Sequence, residues 1–145
     1  MELECAIRPH IDELYPFEIT NGSPSIVDWG AMIPEILLDL QKGDSAGIIS
    51  AKFHNTLAEI IVAVARKVGE PRVLLTGGCF QNRFLIERSI QRLSETGFQP
   101  YWHQRVPPND GGIALGQVMA VARSVSKSLK ERGQVPCVLQ SQGKS

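Results

Sequence analysis

The chain has 145 residues, of which 43% are hydrophobic and 21% are charged, and this composition is typical of one globular domain with its own core. Its 15 basic residues balance its 15 acidic residues, so no net charge attracts nucleic acid or an anionic membrane. The three cysteines are odd in number and include no CxxC pair, which disfavours a disulfide framework or a zinc module and favours a reducing compartment.

The amino terminus reads Met-Glu-Leu-Glu and lacks the basic and apolar regions of a signal peptide. No apolar run approaches the ~18 residues of a membrane span. We therefore expect a cytoplasmic protein that binds no membrane and no nucleic acid.

The first half of the chain predicts one hairpin and two helices. Apolar runs at residues 15–20 and 25–28 flank the turn sequence Asn-Gly-Ser-Pro, which predicts a hairpin at a sheet edge. A helix follows over residues 31–42, and Asp28 is its expected cap. The clearest helix of the sequence covers residues 50–68.

One apolar stripe runs along this second helix and is expected to face the core. Its members are Phe53, Leu57, Ile60, Ile61, Val64 and Val68. His54 lies beside the stripe, and we interpret it as a partly buried or capping histidine. A metal ligand is disfavoured because no second residue of metal-binding type lies three or four positions away.

The stretch over residues 73–82 organises the rest of the chain. Val-Leu-Leu predicts a short buried strand, and Thr76-Gly77-Gly78 predicts a sharp turn, because glycine adopts backbone angles that other residues avoid. The helix predicted over residues 82–93 has one apolar face, formed by Leu85, Ile86, Ser89, Ile90 and Leu93. Such a turn presents free backbone N–H groups and a helix amino end to an anion such as phosphate; alternatively, the glycines serve packing alone.

A second strand is predicted over residues 98–103, followed by a polar loop over residues 104–111 and a helix over residues 113–125. That helix carries Leu115, Met119 and Ala122 on one face. We expect one folded unit at residues 1–125 and a polar, disordered tail at residues 126–145. Two strands joined by a helix through short linkers predict a βαβ unit with parallel strands.

Parallel strands bring the two following loops to the same edge of the sheet, roughly 5 Å apart if the strands are neighbours. Ligands of open α/β sheets bind at that edge. The second loop supplies Asp110, Gly111 and Gly112. Asp110 has two interpretations: it caps the following helix, or its carboxylate faces the phosphates of a nucleotide through a divalent cation.

Three further residues, Cys79, His10 and His103, carry side chains capable of chemistry. Cys79 lies in the glycine turn beside a helix amino end, where a thiol can act as a nucleophile. A small buried residue is the favoured interpretation, since no histidine lies nearby in sequence to activate it. His10 and His103 have no recognisable partners and are interpreted as structural or surface residues.

Two long runs carry a resemblance to a known family. Leu-Thr-Gly-Gly-Cys-Phe-Gln-Asn-Arg at residues 75–83 and Val-Pro-Pro-Asn-Asp-Gly-Gly-Ile-Ala-Leu-Gly-Gln at residues 106–117 closely resemble the carboxyl-terminal signatures of the HypF carbamoyltransferases, which mature [NiFe] hydrogenases. Met-Glu-Leu-Glu at the start and Lys-Phe-His-Asn-Thr-Leu at residues 52–57 are weaker matches. The similarity runs from Met1 to about Ala122.

The resemblance implies an α/β fold, a helix-rich partial lobe of the actin and sugar-kinase (ribonuclease H-like) fold with a parallel βαβ core and an N-terminal β-hairpin. HypF proteins hydrolyse carbamoyl phosphate, use ATP to make a carbamoyl-adenylate, and transfer the carbamoyl group to the terminal cysteine of HypE. By the resemblance, Asp110 is a metal ligand at the phosphates. The residues expected to bind the adenylate are Thr76, Gly77, Gly78, Asn82, Gly111 and Gly112. No residue is assigned to catalysis.

The departures from the family limit these expectations. Its acylphosphatase domain, zinc-finger pairs, carbamoyl-adenylate-forming domain and His-rich motif are not in this sequence, nor are the strands that complete the sheet beside residues 73–75. We therefore expect a terminal fragment that is inactive alone and that forms a homodimer through its exposed sheet edge. Two alternatives are an interaction or regulatory module without catalysis and the related tRNA-modifying transferase. The second fits less well, because its substrate is nucleic acid and the chain has no net charge.

Overall fold

The computed structural model describes residues 2–131, which form a helix-rich α/β unit with two small sheets. In chain order the elements are helix α1 (Glu2–Ala6), strands β1 (Glu18–Ile19) and β2 (Val27–Asp28), helices α2 (Met32–Lys42) and α3 (Ala46–Val68), strand β3 (Arg72–Leu75), helix α4 (Arg83–Glu95), strand β4 (Gln99–Trp102) and helix α5 (Ile113–Glu131). Two short 3₁₀ turns, Gly78–Gln81 and Asp110–Gly112, precede α4 and α5.

The expected hairpin is confirmed, because β1 and β2 pair in antiparallel register with Ile19 opposite Val27. The expected cap of α2 is wrong. Ala31 occupies that position and makes no side-chain capping bond. The carboxylate of Asp28 instead accepts a hydrogen bond of 2.8 Å from the N–H of Gly30, which forms a local turn before the helix.

The helix α3 begins four residues before the predicted start, and the expected stripe is not its buried face. Val64 and Val68 are 38% and 71% exposed. The buried side chains of α3 are Ile49, Ser50, Ala51, His54, Asn55, Thr56, Ala58, Val62 and Ala65. Small residues on this face let α4 approach closely. Of the stripe, Phe53 and Ile61 are half-buried against the two core clusters, whereas no described element covers Val64 and Val68.

By length and composition alone, α3 is long and apolar enough to span a membrane, so the expectation that no segment reaches that size is wrong. However, 44% of its apolar window is buried against the rest of the molecule. Lys52 forms an ion pair of 2.8 Å with Asp39, and the amide of Asn55 donates to the carbonyl of Ile11 at 2.6 Å. These are the contacts of a central core helix, and such a helix can also be long and apolar enough to span a membrane.

The predicted βαβ unit is confirmed. The strands β3 and β4 pair in parallel, with Leu75 opposite Trp102, and α4 makes the connection between them. The core beneath this unit consists of Val62, Ala65, Leu75 and Leu93, with Ile61, Val73, Phe80, Ile86, Ile90 and Phe98 packed against it. A second, smaller cluster of Tyr15, Met32 and Ile49 holds the amino-terminal half on α3. The core thus includes Leu75, the last residue of β3.

The helix α5 continues six residues past the predicted end at Val125, so the first part of the predicted tail is helical. The remainder of that tail, residues 132–145, lies outside the described residues. The large apolar side chains of α5 between Ile113 and Val125 are exposed, including Leu115 and Met119 on the predicted face.

Candidate functional site

The carboxyl ends of β3 and β4 bring the two glycine-rich loops together, as the sequence predicts. Thr76 directly follows β3 and His103 directly follows β4, and Oγ1 of Thr76 lies 2.9 Å from Nε2 of His103. The N–H of Gly77 donates to the carbonyl of Pro108 at 2.8 Å. These two bonds join the loops immediately beyond the sheet.

An open cleft of about 340 Å³ lies between the loops. Its lining consists of Thr76, Gly77, His103, Pro107, Pro108, Asn109, Asp110, Gly112 and Ile113. Four of the predicted site residues are therefore brought together, namely Thr76, Gly77, Asp110 and Gly112. The other three, Gly78, Asn82 and Gly111, lie in the adjoining turns and do not line the cleft.

The glycines of the two loops serve different purposes. Gly77 has φ +108° and ψ 160°, a backbone conformation that is essentially restricted to glycine. A Cβ on Gly112 would lie 3.0 Å from the carbonyl oxygen of Pro107, so packing alone favours a glycine there. A Cβ on Gly78 would meet no atom within 4 Å. The described fold thus gives no packing reason for glycine at position 78.

The backbone donors near the cleft differ from those expected. The amino end of α4 is already occupied, because Glu4 Oε1 accepts from the N–H of Arg83 at 2.6 Å and Asn82 Oδ1 accepts from the N–H of Leu85 at 2.8 Å. The N–H groups of Gly78 and Cys79 have no hydrogen-bond partner within residues 2–131. The free donors therefore belong to the 3₁₀ turn rather than to the helix end.

The side chain of Asn82 is fully engaged in holding the turn. Its Oδ1 caps α4, and its Nδ2 lies 2.8 Å from Nε2 of His54. His54 is 4% exposed, and its Nδ1 lies 2.8 Å from the carbonyl oxygen of Ser50. A carbonyl only accepts and the Asn82 amide nitrogen only donates, so His54 is neutral with its proton on Nδ1. The sequence predicts a partly buried or capping His54; the residue is in fact buried, and it contacts Asn82, the residue that caps α4.

Asp110 does not cap the helix that follows it. Asp110 is itself the first residue of the 3₁₀ turn before α5, and Asn109 caps that turn by accepting from the N–H of Gly111 at 3.1 Å. The carboxylate of Asp110 is exposed and has no hydrogen-bond partner among residues 2–131. It is thus free to contact a ligand in the cleft.

A divalent cation fits this cleft only in part. A hard cation such as Mg²⁺ is often held by one or two carboxylates together with phosphate oxygens, and Asp110 supplies one carboxylate. No group of three or more His, Cys, Asp or Glu side chains converges anywhere in the described part of the chain. The described residues therefore provide one ligand of a metal site rather than a complete set.

Cys79 is exposed, so its interpretation as a small buried residue is wrong. The 3₁₀ turn that contains it lies at the surface of the molecule, and none of the four residues of that turn is buried. Cys79 does not line the cleft.

The clearest electrostatic network lies outside the cleft. The hydroxyl of Tyr15 donates to Asp39 at 2.9 Å, and Lys52 pairs with the same carboxylate. Burial and this hydrogen bond raise the pKa of Tyr15, whereas the hydrogen bond from Lys52 lowers the pKa of Asp39. Lys52 also pairs with Glu13 at 2.9 Å, so the network ties the amino-terminal segment and α2 to α3.

Comparison with known proteins identifies relatives of this chain. Residues 1–117 match the family described as "Carbamoyltransferase, Kae1-like Domain, second subdomain". Carbamoyltransferase HypF of Synechocystis sp. is 38% identical over 120 residues, which cover 81% of this chain and 15% of that protein. A carbamoyltransferase HypF homolog of Cupriavidus necator is 34% identical over 137 residues, which cover 88% of this chain and 35% of that protein.

Solved structures agree with the sequence relatives. Full-length HypF in its phosphate- and nucleotide-bound form has a TM-score of 0.71 and 39% identity, over 80% of this chain and 19% of that structure. HypF of T. kodakarensis has a TM-score of 0.63 at 24% identity, which supports the fold alone. The chain thus spans a minor part of the length of each of these relatives.

Proposed function

The chain belongs to the HypF carbamoyltransferase family, and we propose that it supplies the nucleotide-binding portion of a carbamoyltransferase. In this proposal an adenylate binds at the carboxyl edge of β3 and β4, within a lobe of the actin and sugar-kinase fold. The carbamoyl group derives from carbamoyl phosphate, passes through carbamoyl-adenylate, and is received by the terminal cysteine of a HypE-like partner. The single observation that carries the proposal is the cleft formed by the two joined loops.

Phosphate recognition follows from the donors around this cleft. The free N–H groups of Gly78 and Cys79 and the hydroxyl of Thr76 can donate to phosphate oxygens. The open space beside Gly78 lets a ligand approach the backbone closely. Asn82 contributes indirectly, because it anchors the end of the turn to α3 through His54.

Asp110 would hold a divalent cation at the phosphates. A bare carboxylate repels phosphate, so its place in the cleft favours a ligand that carries a cation. The cation would neutralise charge between Asp110 and the phosphate oxygens. Its remaining protein ligands would come from outside residues 2–131, consistent with the single carboxylate found here.

Catalysis by this chain alone is not part of the proposal. The chain corresponds to 15% of the Synechocystis relative, and none of its residues is assigned to bond making or breaking. We propose that it binds the adenylate and that other parts of the family's machinery perform the transfer.

Isothermal titration with ATP and Mg²⁺ tests the proposal on wild type, Asp110→Asn and the control Glu35→Gln. Glu35 is an exposed carboxylate on α2, which contributes nothing to the cleft. We expect wild type and Glu35→Gln to bind equally and Asp110→Asn to bind at least tenfold more weakly, because a cation bound at phosphate loses its carboxylate. Equal binding by wild type and Asp110→Asn would show that Asp110 takes no part in binding ATP and Mg²⁺.

An interaction or regulatory module without nucleotide binding is the second candidate. The exposed apolar side chains of α5 favour it, since large apolar patches often mark protein contacts. The same titration distinguishes the two candidates. No heat from wild type at millimolar ATP and Mg²⁺ would contradict nucleotide binding and leave the interaction module.

A further inference from the structure

The sequence predicts a structural or surface role for His103, yet this residue lines the cleft. It directly follows β4, at the level where Thr76 follows β3, because Leu75 and Trp102 are the last register partners of the sheet. Oγ1 of Thr76 lies 2.9 Å from Nε2 of His103. Both side chains belong to the same cleft as Asp110.

Stability alone gives little reason for this pair. The hydrogen bond between His103 and Thr76 is exposed, and water competes for exposed donors and acceptors, so its net contribution to folding is small. The strands are already joined here by their backbone ladder and by the bond from Gly77 to Pro108. Because both side chains line the cleft, the pair is a candidate for a role in ligand binding.

The direction of the hydrogen bond decides that role. A threonine hydroxyl has one proton. If Nε2 of His103 lacks a proton, the hydroxyl of Thr76 must donate to it, and no proton remains for a ligand. If Nε2 carries the proton, His103 donates to Oγ1, and the hydroxyl proton of Thr76 is free to point into the cleft. An anionic ligand requires the second arrangement, because oxygen atoms of phosphate only accept.

We propose that His103 is a positioning residue that donates from Nε2 to Thr76 and so directs the Thr76 hydroxyl towards a phosphate oxygen of the bound nucleotide. The inference rests on the proposed nucleotide-binding function. It adds a donor at the end of β3 to the two free N–H groups of Gly78 and Cys79. The Thr76 hydroxyl lies in the cleft with Asp110, and the N–H groups of Gly78 and Cys79 belong to the turn that follows Thr76 and Gly77.

Titration of ATP and Mg²⁺ into four variants tests this role. Thr76→Val and His103→Leu each remove one partner, and we expect each to weaken binding by about tenfold. The double variant should bind about as weakly as Thr76→Val alone, because His103 acts through Thr76. His103→Gln retains an N–H donor at a similar reach and should recover most of the affinity. Thermal unfolding of each variant checks that the fold is intact.

Nitrogen NMR of the histidine rings provides a measurement on wild type that needs no ligand. We expect Nε2 of His103 to carry the proton, whereas Nε2 of His54 should be unprotonated in the same sample. An unprotonated Nε2 of His103 would overturn the inference. So would wild-type affinity in His103→Leu, and this result would leave the proposed function intact. Absence of ATP binding by wild type would instead overturn the proposed function and the inference with it.

Discussion

The side-chain nitrogen Nδ2 of Asn82 lies 2.8 Å from Nε2 of the buried His54, and this contact ties the start of α4 to the middle of α3. The oxygen Oδ1 of the same amide caps α4 by accepting from the N–H of Leu85. The glycine turn is therefore anchored at both ends: Asn82 fixes its last residue to α3, and the bond from Gly77 to Pro108 fixes its first residue to the facing loop. This anchoring keeps the free donors of the turn in place.

Substitutions at Asn82 distinguish the contributions that its two hydrogen bonds make to stability. Asn82→Ala removes the cap and leaves a buried histidine nitrogen without a donor, so we expect a loss of about 2–4 kcal/mol in the free energy of unfolding. Asn82→Ser retains a capping oxygen and loses only the bond to His54, so its loss should be smaller, about 1–3 kcal/mol. Urea unfolding measures both values.

Ser45→Ala is the control for this pair of variants. Ser45 occupies the capping position of α3 but makes no side-chain capping bond, so its replacement should cost less than about 0.5 kcal/mol. Equal stabilities for Asn82→Ala and Asn82→Ser would mean that the capping bond contributes nothing, whereas wild-type stability in Asn82→Ser would mean that the contact with His54 contributes nothing.

Alanine substitutions at the glycines distinguish ligand contact from packing. Gly78→Ala should leave the free energy of unfolding within about 0.5 kcal/mol of wild type, because its Cβ meets open space, but should weaken ATP binding. Gly77→Ala should destabilise the fold by about 1–3 kcal/mol, because alanine is strained at φ +108°. Unfolding and titration on each variant give the two readouts. Unchanged ATP affinity in Gly78→Ala would place the nucleotide elsewhere.

The sequence predicted most of the local structure that forms the cleft. The apolar run, the double glycine and the next helix predict a βαβ unit, and parallel pairing then requires the loops that carry Gly77 and Asp110 to meet. The role of His103 was not predictable from its neighbours in sequence. It depends on the register of two strands, and only the pairing of Leu75 with Trp102 places His103 beside Thr76.

One wrong prediction and one open alternative have physical explanations. The apolar stripe of α3 predicts a buried face only if a partner element covers it, and no described element covers Val68. Asp110 and Asn109 are both good capping residues, and the sequence does not say which one adopts the extended backbone of a cap. The structure gives that conformation to Asn109, with φ −92° and ψ −170°.

Acid should weaken the fold through Asp39. Its pKa is held below the usual 3.8, first by the hydrogen bond from Lys52, so the folded state binds this proton less readily than the unfolded state. The stabilisation is present above pH 3.8 and is lost as the pH falls through the lower folded value. Asp39→Asn should therefore flatten the fall in stability below pH 4, as measured by urea unfolding over a pH series.

Glu35→Gln is the control for this series, because Glu35 is exposed on α2 and forms no ion pair within residues 2–131. It should keep the wild-type slope. A wild-type slope in Asp39→Asn would assign the acid sensitivity to other carboxylates.

Self-association through β3 is the remaining prediction. One edge of β3 pairs with β4, and no described strand pairs with the other edge. Leu74 is 64% exposed and lies in an apolar groove of about 450 Å³ with Val64, Val68 and Val73. Open backbone groups beside exposed apolar side chains favour pairing with a second copy. Sedimentation velocity at tens of micromolar should show a dimer for wild type.

A charged side chain in the groove tests this prediction. Leu74→Lys should shift the chain to monomer, because a buried ammonium without a partner is costly and lysine on an edge strand blocks pairing. Leu37→Lys is the matched control, since Leu37 is 53% exposed on α2 and does not line the groove. A dimer that persists in Leu74→Lys but dissociates in Leu37→Lys would move the interface to α2, and a wild-type monomer would contradict self-association altogether.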